Sequence, residues 1–564
     1  MSTSTLEKTL DQLDSLKTQF GVNQSRKISS LLTQLHRLKI QDPYSLIRLH
    51  EVLLFLRAHP HNAALVRQTE TLLRAFPIRL VKLQEQGVDL SALEHPDVSG
   101  IAGLSVTDTF TYPIVRWLQQ RNPRQIDFYW DWFESENRLA EVWPRFMPLL
   151  EEDTSVEANI PYRDWLRDAR GRQSEVEWLL TRLKALGLSD DETEQLYNGM
   201  QLYVCWRYSY RDSRTGMRVP VRKIFFHDGP MIQRRDLDFK QEIDKPSPHL
   251  ERLSSSEGHR AIDIARDAST VRYRELYGFT NGDPKRVHRT LLGRGIELVV
   301  ISLPPGKRLP LRAYHSAMIY KNGVPIGYFE GLSFFERMES GFNLYYTFRE
   351  GETAWLYAKI LSVMRRLTGA SSFSLDPYQI GFENEEGIQS GAFWFYRKLG
   401  FRSTRRSIQK LSESEEEKIS RRKSYRTTAA TLRRLAAAPM ILEMDERRKG
   451  DWDRFQVRNI GLAVQRLMAE KFDGDMNRMR KRTLEFLADN LGVDSRRQGN
   501  AFVDFADVFA LVPEFRRWSE EEKKLLKEII HAKESDDEAR YLRLMQKHER
   551  FREAMLRVGS ISHT

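Results

Sequence analysis

Two carboxylates, a histidine, a tyrosine and a short polar loop in the middle of this chain have residue types and spacings that could do chemistry. Glu330 stands in Gly327-Tyr328-Phe329-Glu330-Gly331, where the aromatic neighbours would withhold water, raise the carboxyl pKa and suit it to take a proton. A rim ion pair with one of the many arginines is its plainer role. His315, in Tyr314-His315-Ser316-Ala317-Met318, falls in a strand whose alternate residues face opposite sides, so it is a second base or, more commonly for such a residue, a structural histidine. Arg349-Glu350-Gly351-Glu352-Thr353-Ala354 opens a helix, and glutamate in a first turn sits well against the helix dipole. Asp376 precedes Pro377 and Tyr378 at a strand end, as a turn residue would. Tyr396 follows Ala392 by four residues, on one face of a helix that Gly400 ends before Phe401 begins the next strand.

Other chemistries are poorly represented. There is no Gly-x-x-x-x-Gly-Lys-Ser/Thr loop, no His-Glu-x-x-His helix and no Gly-x-Ser-x-Gly elbow. His59 and His61 are the closest histidine pair and lack carboxylate or cysteine companions, so no metal site is expected. The single cysteine, Cys205, excludes an intramolecular disulfide and a cysteine-cluster site, and a buried structural thiol is expected there.

The elements that must position these residues follow from length and periodicity. A chain of 564 residues has room for three or four packed units. Apolar runs are strand-length, with no membrane span, and Met1 to Gly21 lacks a secretory apolar region, so a cytoplasmic protein is expected. Residues 1–215 read as helical, from spacings of three and four such as Leu46, Leu49, Val52, Leu53 and Leu56, with an aromatic stripe from Phe128 to Trp143 expected in the core. Residues 216–257 read as a strand and loop connector, with hairpin-like alternation at Tyr208 to Arg211 and Val219 to Phe226. From 258 to 410 the spacing predicts helix (Ala261 to Tyr277), strands at Ile296 to Leu303, Ala313 to Lys321, Val324 to Ser333 and Gly341 to Thr347, helix (Thr353 to Leu367), strand (Ser371 to Asp376) and helix (Gln389 to Leu399). Asn322-Gly323 between two strands is a type I′ turn signal. Residues 411–450 read as a basic linker or helix with a helix start at Ser412 to Lys418, and 451–564 as helical, ending in an amphipathic pair. The fold class expected is a multi-domain α+β/α chain: a central mixed β-sheet domain flanked by mainly helical N- and C-terminal regions.

The run Gly391-Ala392-Phe393-Trp394-Phe395-Tyr396-Arg397-Lys398-Leu399-Gly400-Phe401 resembles the last core helix of the GNAT acyltransferase superfamily. The order of strands and helices before it agrees, so the central domain is read as GNAT-like over about residues 260 to 405. The resemblance implies acetyl-CoA or another acyl-CoA as co-substrate. Its diphosphate would lie on the loop at Tyr346, Phe348, Arg349, Glu350, Gly351, Glu352, Thr353 and Ala354. It further implies Tyr396 as the acid that protonates the departing thiolate, a backbone N–H near Tyr345 or Tyr346 on the acyl carbonyl, and Asp376 and Tyr378, with His315, on the acceptor side. Two departures stand out: Glu352 occupies the place of the family's glycine, a costly neighbour for a diphosphate unless it points away, and Gln389 occupies that of its asparagine.

Net charge is +11, and residues 401 to 450 hold 14 Lys or Arg against 7 Asp or Glu. That stretch lacks interleaved aromatics, so a solvated face is favoured over a nucleic-acid site. The expected function is transfer of an acyl group from acyl-CoA to an amine acceptor. The alternative is a non-catalytic GNAT-shaped binding or scaffold protein with a nucleic-acid or other anionic partner.

Overall fold

The computed structural model describes residues 3–146 and 161–560, so the first two residues of the Met1 to Gly21 stretch lie outside it. In the N-terminal region, α1 (Pro43–Ala58) starts at Asp42, whose carboxylate accepts from the Ser45 N–H, with Pro43 in the first turn. Leu46, Leu49, Val52, Leu53 and Leu56 are buried, and so are Leu54 and Phe55. The helix is therefore enclosed on all sides by neighbours such as Ala63–Glu85.

The helical reading of residues 1–215 needs one correction. Strands β1 (Val106–Asp108), β2 (Ile126–Phe128) and β3 (Val204–Trp206) form an antiparallel sheet with β3 in the middle. Trp143 is fully buried, whereas Trp132 of the same aromatic stripe is half exposed. Cys205, expected to be buried, is half-buried in β3. Tyr208 to Arg211 and Val219 to Phe226 form no strands. The second of these instead packs on the Asn322-Gly323 turn, with the Val219 N–H donating to the Gly323 carbonyl and the Phe225 N–H to Asn322 Oδ1.

The central sheet has nine strands: β4 (Glu251–Arg252), β5 (Val287–Gly293), β6 (Ile296–Ser302), β7 (Ala313–Lys321), β8 (Val324–Phe334), β9 (Arg337–Leu344), β10 (Ser372–Leu375), β11 (Arg402–Ser403) and β12 (Met440–Glu443). Their order across the sheet is β11-β12-β10-β9-β8-β7-β6-β5-β4. Neighbours are antiparallel except β9 and β10, which run parallel. Asn322 (φ 50°) and Gly323 (φ 81°) both take the positive φ that a type I′ turn demands between β7 and β8. Every residue of β7 is buried, because the sheet is covered on both faces. One cover is α2 (Ser255–Thr270) with Tyr277–Thr280, where Gly278 lies so close to Ser316 that a Cβ would collide. The other is α3 (Thr353–Thr368), with α4 (Ala392–Arg397) beside it through a Tyr357–Tyr396 ring contact.

Several boundaries differ from those expected. The strand placed at Gly341 to Thr347 is β9, three to four residues earlier, and the helix placed at Gln389 to Leu399 is two, Glu385–Gln389 and α4, separated by Gly391 at φ 69°. The sheet extends beyond 258–410 at both ends, because β4 precedes it and β12, from the supposed linker, inserts between β10 and β11. Ser412 to Lys418 lies inside α5 (Arg406–Arg421) rather than at its start. Beyond 450 come α6 (Val457–Phe472) and five further helices, with three helices rather than a pair after residue 519. Phe334, Phe335 and Ile441 of the sheet share a core with Trp452, Phe455 and Phe551 of this region. Its anchor is Glu336, whose carboxylate accepts from Trp452 Nε1 (2.9 Å) and Arg552 Nε (2.8 Å). Among the described residues, no helix is long and apolar enough to cross a membrane.

Candidate functional site at the separation of two parallel strands

β9 and β10 pair only over Arg337–Glu339 and Ser372–Ser374. β9 continues to Leu344, whereas β10 ends at Leu375 because the chain turns. Asp376 Oδ1 accepts from the Tyr378 N–H (2.9 Å), and Pro377 between them has no N–H to offer a sheet. Beyond Ser340 the two strands separate. Gly341 sits at the opening, where a Cβ would lie 3.0 Å from Gln379 Nε2, so its lack of a side chain lets Gln379 approach the strand closely.

On the α3 face, Ser340 Oγ and the Tyr357 hydroxyl are 2.7 Å apart, and the Tyr357 ring stacks on Phe342 at 4.9 Å. Tyr396 packs edge-on against Tyr357 and Phe401. Burial alone pushes its phenol pKa up, and its hydroxyl has no hydrogen-bond partner among the described residues. It is a neutral phenol with a proton to give.

The loop between β9 and α3 is held chiefly by the N-terminal region. Thr347 donates to Glu51, which also pairs with Arg214 at 2.7 Å. Burial pushes the Glu51 carboxyl up, but Arg214 and hydrogen bonds from His50 and Thr347 outweigh it and hold the pKa at about 2. Phe348 is buried and Tyr346 is exposed. Arg349 Nε donates to the Leu344 carbonyl (3.1 Å), and its guanidinium pairs with Glu386. Glu350 pairs with Lys17 at 3.0 Å, and a Cβ on Gly351 would stand 3.2 Å from His59 Nε2. Glu352 is buried and turned inward: Arg294 lies at 2.6 Å, Lys321 at 3.7 Å, and the Ile232 N–H donates to it at 3.0 Å. Burial lowers the Lys321 pKa to about 8, although Glu352 pulls the other way. Thr353 Oγ1 donates to the Arg349 carbonyl, Ala354 is buried, and α3 begins without a side-chain cap. The N–H groups of its first turn therefore have no carboxylate or hydroxyl on them among the described residues.

On the opposite face, the register aligns Ser316, Glu330 and Gly341. Glu330 is half-buried and accepts from the Tyr314 hydroxyl; burial raises its pKa, and that hydrogen bond opposes the rise. The Tyr314 oxygen accepts in turn from the Gly278 N–H (3.3 Å). Arg274 caps this wall by donating to the Tyr328 hydroxyl (3.2 Å). Glu330 is thus an acid–base group one strand from the separation, and no arginine pairs with it among the described residues.

Two expectations are corrected, and the turn role expected of Asp376 is seen. His315 alternates away from Glu330, is buried, and has burial lowering its pKa beneath Lys533 and Glu538 of the C-terminal region, so it is absent from the site. The Tyr345 N–H is spent on the Ile326 carbonyl (3.0 Å) and is not free for an acyl oxygen. Asp376 is a turn residue, while Tyr378 beside it presents an exposed ring. Sequence reasoning missed Tyr357, Ser340 and Tyr314. The alternating pattern of β7 and β9 carried the signal for the last two, since each faces the side of its site partner.

Among the described residues, no group of three or more His, Cys, Asp or Glu is placed to hold a metal ion. No protein-family description, curated protein or solved structure matches this chain.

Proposed function

We propose that this chain is a GNAT-like acyltransferase that moves an acyl group from an acyl-CoA to an amine acceptor. The observation that carries the reading is the separation of β9 from β10, with an unpartnered phenol on one side and a desolvated carboxylate on the other. The loop fits a diphosphate better than its sequence suggests, because the Glu352 charge is turned inward and offset by Arg294 and Lys321. The uncapped start of α3 leaves N–H groups and the positive end of the helix dipole for an anion. An acyl-CoA, when bound, supplies the thioester carbonyl carbon.

The chain's own residues then manage two protons. Glu330, raised in pKa and oriented by Tyr314, accepts the proton that the amine sheds as its nitrogen bonds to the acyl carbon. Tyr396 gives its hydroxyl proton to the sulfur as the carbon–sulfur bond breaks, and burial keeps that phenol protonated until then. Tyr357 and Phe401 fix its ring.

Calorimetric titration of the full chain with CoA and acetyl-CoA tests the reading. Saturable binding in the micromolar range is expected. An absence of heat up to millimolar ligand, with the protein folded, overturns it.

A further inference from the structure

A second site lies between the sheet and the C-terminal region. A cavity of about 1150 Å³ is lined by Arg337, Arg405, Arg406, Arg454 and Arg458. A smaller one of about 380 Å³ shares three of these arginines and ends at Asp376 and Pro377. Arg337 is engaged, donating to Ser374 Oγ at 3.0 Å. Arg405, Arg406, Arg454 and Arg458 have no ion pair among the described residues. The acidic side chain among them in the larger cavity, Asp453, is paired with Arg402 at 2.8 Å.

Two helices aim their starts at the same groove. Arg405 and Arg406 are the N-cap and first residue of α5, and Arg458 is the second residue of α6. Neither start has a side-chain cap or an acidic residue in its first turn. Arginine there opposes the helix dipole, and four like charges share one groove, so the folded chain leaves unfavourable terms that several anions in a row would relieve. The aromatic rings of the groove offer no free anchor, since Trp452 and Phe455 are buried and already faced by Arg337, and Leu462 is the large apolar side chain it leaves exposed. A peptide ligand draws much of its affinity from such anchors, whereas a phosphodiester strand draws it from charge alone. Guanidinium forks also match phosphate geometry.

We propose that this groove binds a single-stranded nucleic acid through its phosphates, with little preference for base sequence. The site is separate from the acyl-transfer reading and stands or falls without it.

The test is fluorescence anisotropy of a labelled oligo(U) of about twelve nucleotides titrated with the full chain. Saturable binding is expected at about 50 mM salt, with log affinity falling against log salt with a slope of about −3, four phosphates at roughly −0.7 each. The double variants Arg405→Ala/Arg406→Ala and Arg454→Ala/Arg458→Ala should each weaken binding about tenfold and shed about 1.4 from the slope. Both should unfold at or slightly above the wild-type temperature, because the four side chains are exposed and unpaired and their removal relieves repulsion at the two helix starts. Arg447→Ala, an exposed arginine outside the groove, and Tyr396→Phe should leave oligonucleotide binding unchanged. Absence of saturable binding overturns the proposal, as does wild-type affinity in both double variants. Equal competition by polyglutamate of matched charge also overturns it, by showing a generic anion surface.

Discussion

The start of α3 and the starts of α5 and α6 pose the same electrostatic problem and answer it in opposite ways. Around α3 the charges are matched from within: Glu352 with Arg294 and Lys321, Glu350 with Lys17, and Arg349 with Glu386. Around α5 and α6, Arg405, Arg406, Arg454 and Arg458 are left unmatched. The α3 loop is the one proposed above to hold a diphosphate, yet most of its charged side chains serve the fold. The groove resembles no motif, yet it carries the uncompensated charge. Unmatched charge in a cavity is the more direct mark of a ligand, because nothing in the folded chain accounts for it.

The strongest way to break this comparison is Glu352→Gln. If Glu352 is a buried counter-charge, its loss strands Lys321, which is almost fully buried, and costs about 3–5 kcal/mol of stability, read by urea unfolding at pH 7. Lys321→Met in the Glu352→Gln background should recover part of that loss. A stable Glu352→Gln variant with altered CoA affinity would instead make the carboxylate part of the ligand site.

Acidification probes the clamp that holds the α3 loop. His50 is buried against Glu51, with Thr215 on its other nitrogen and Arg214 and Arg57 near, and burial lowers its pKa to about 4. Its unfolded pKa is about 6.5, so the unfolded chain binds the extra proton first. The stability this histidine contributes is fully present above about pH 6.5 and is lost as pH falls towards 4, about 3 kcal/mol in all. His227, lowered to about 3, and His59, also lowered, act with the same sign. Urea midpoints between pH 7 and 5 should fall steeply, and His50→Gln should flatten the fall. A pH profile unchanged by that variant would remove His50 from the clamp.

The sequence made the local features legible and left the pairings between distant segments hidden. Asn322-Gly323, β7 and α3 were readable because a turn type or a periodicity is written in adjacent residues. β12 reads as linker because it is four residues long and owes its place to pairing with β10 and β11, which no local pattern encodes. Val219 to Phe226 alternates like a strand, but its hydrogen bonds go to the Asn322-Gly323 turn instead of a ladder. In the candidate site, Tyr396 and Glu330 stand out by type and neighbours. The inward turn of Glu352 was not, since Arg294 and Lys321 come from other strands' ends. Excess basic charge after residue 400 was visible, but not that Arg405 and Arg406 face Arg454 and Arg458 across one cavity.

Tyr396→Phe sharpens the catalytic half of the comparison. The lost hydroxyl makes no hydrogen bond and the ring contacts remain, so stability should change by less than about 0.5 kcal/mol. Turnover should fall about a hundredfold while CoA affinity holds, as expected for loss of a proton donor to the leaving group. Unchanged turnover in an assay limited by chemistry would return Tyr396 to the core.

The smallest effect is expected where the two sites meet. Asp376 caps the turn that ends β10 and also lines the end of the arginine groove. As a turn residue it contributes one hydrogen bond to an exposed N–H, so Asp376→Ala should cost about 1 kcal/mol. As one of two acidic side chains lining the smaller cavity, with Glu339, it also repels phosphate, so the same variant should tighten oligonucleotide binding by a factor of about two to three while leaving the acceptor KM unchanged. A raised KM with unaltered stability would place Asp376 on the acceptor. Weaker oligonucleotide binding would show that the strand does not run to this end, and would confine it to the part of the groove between α5 and α6.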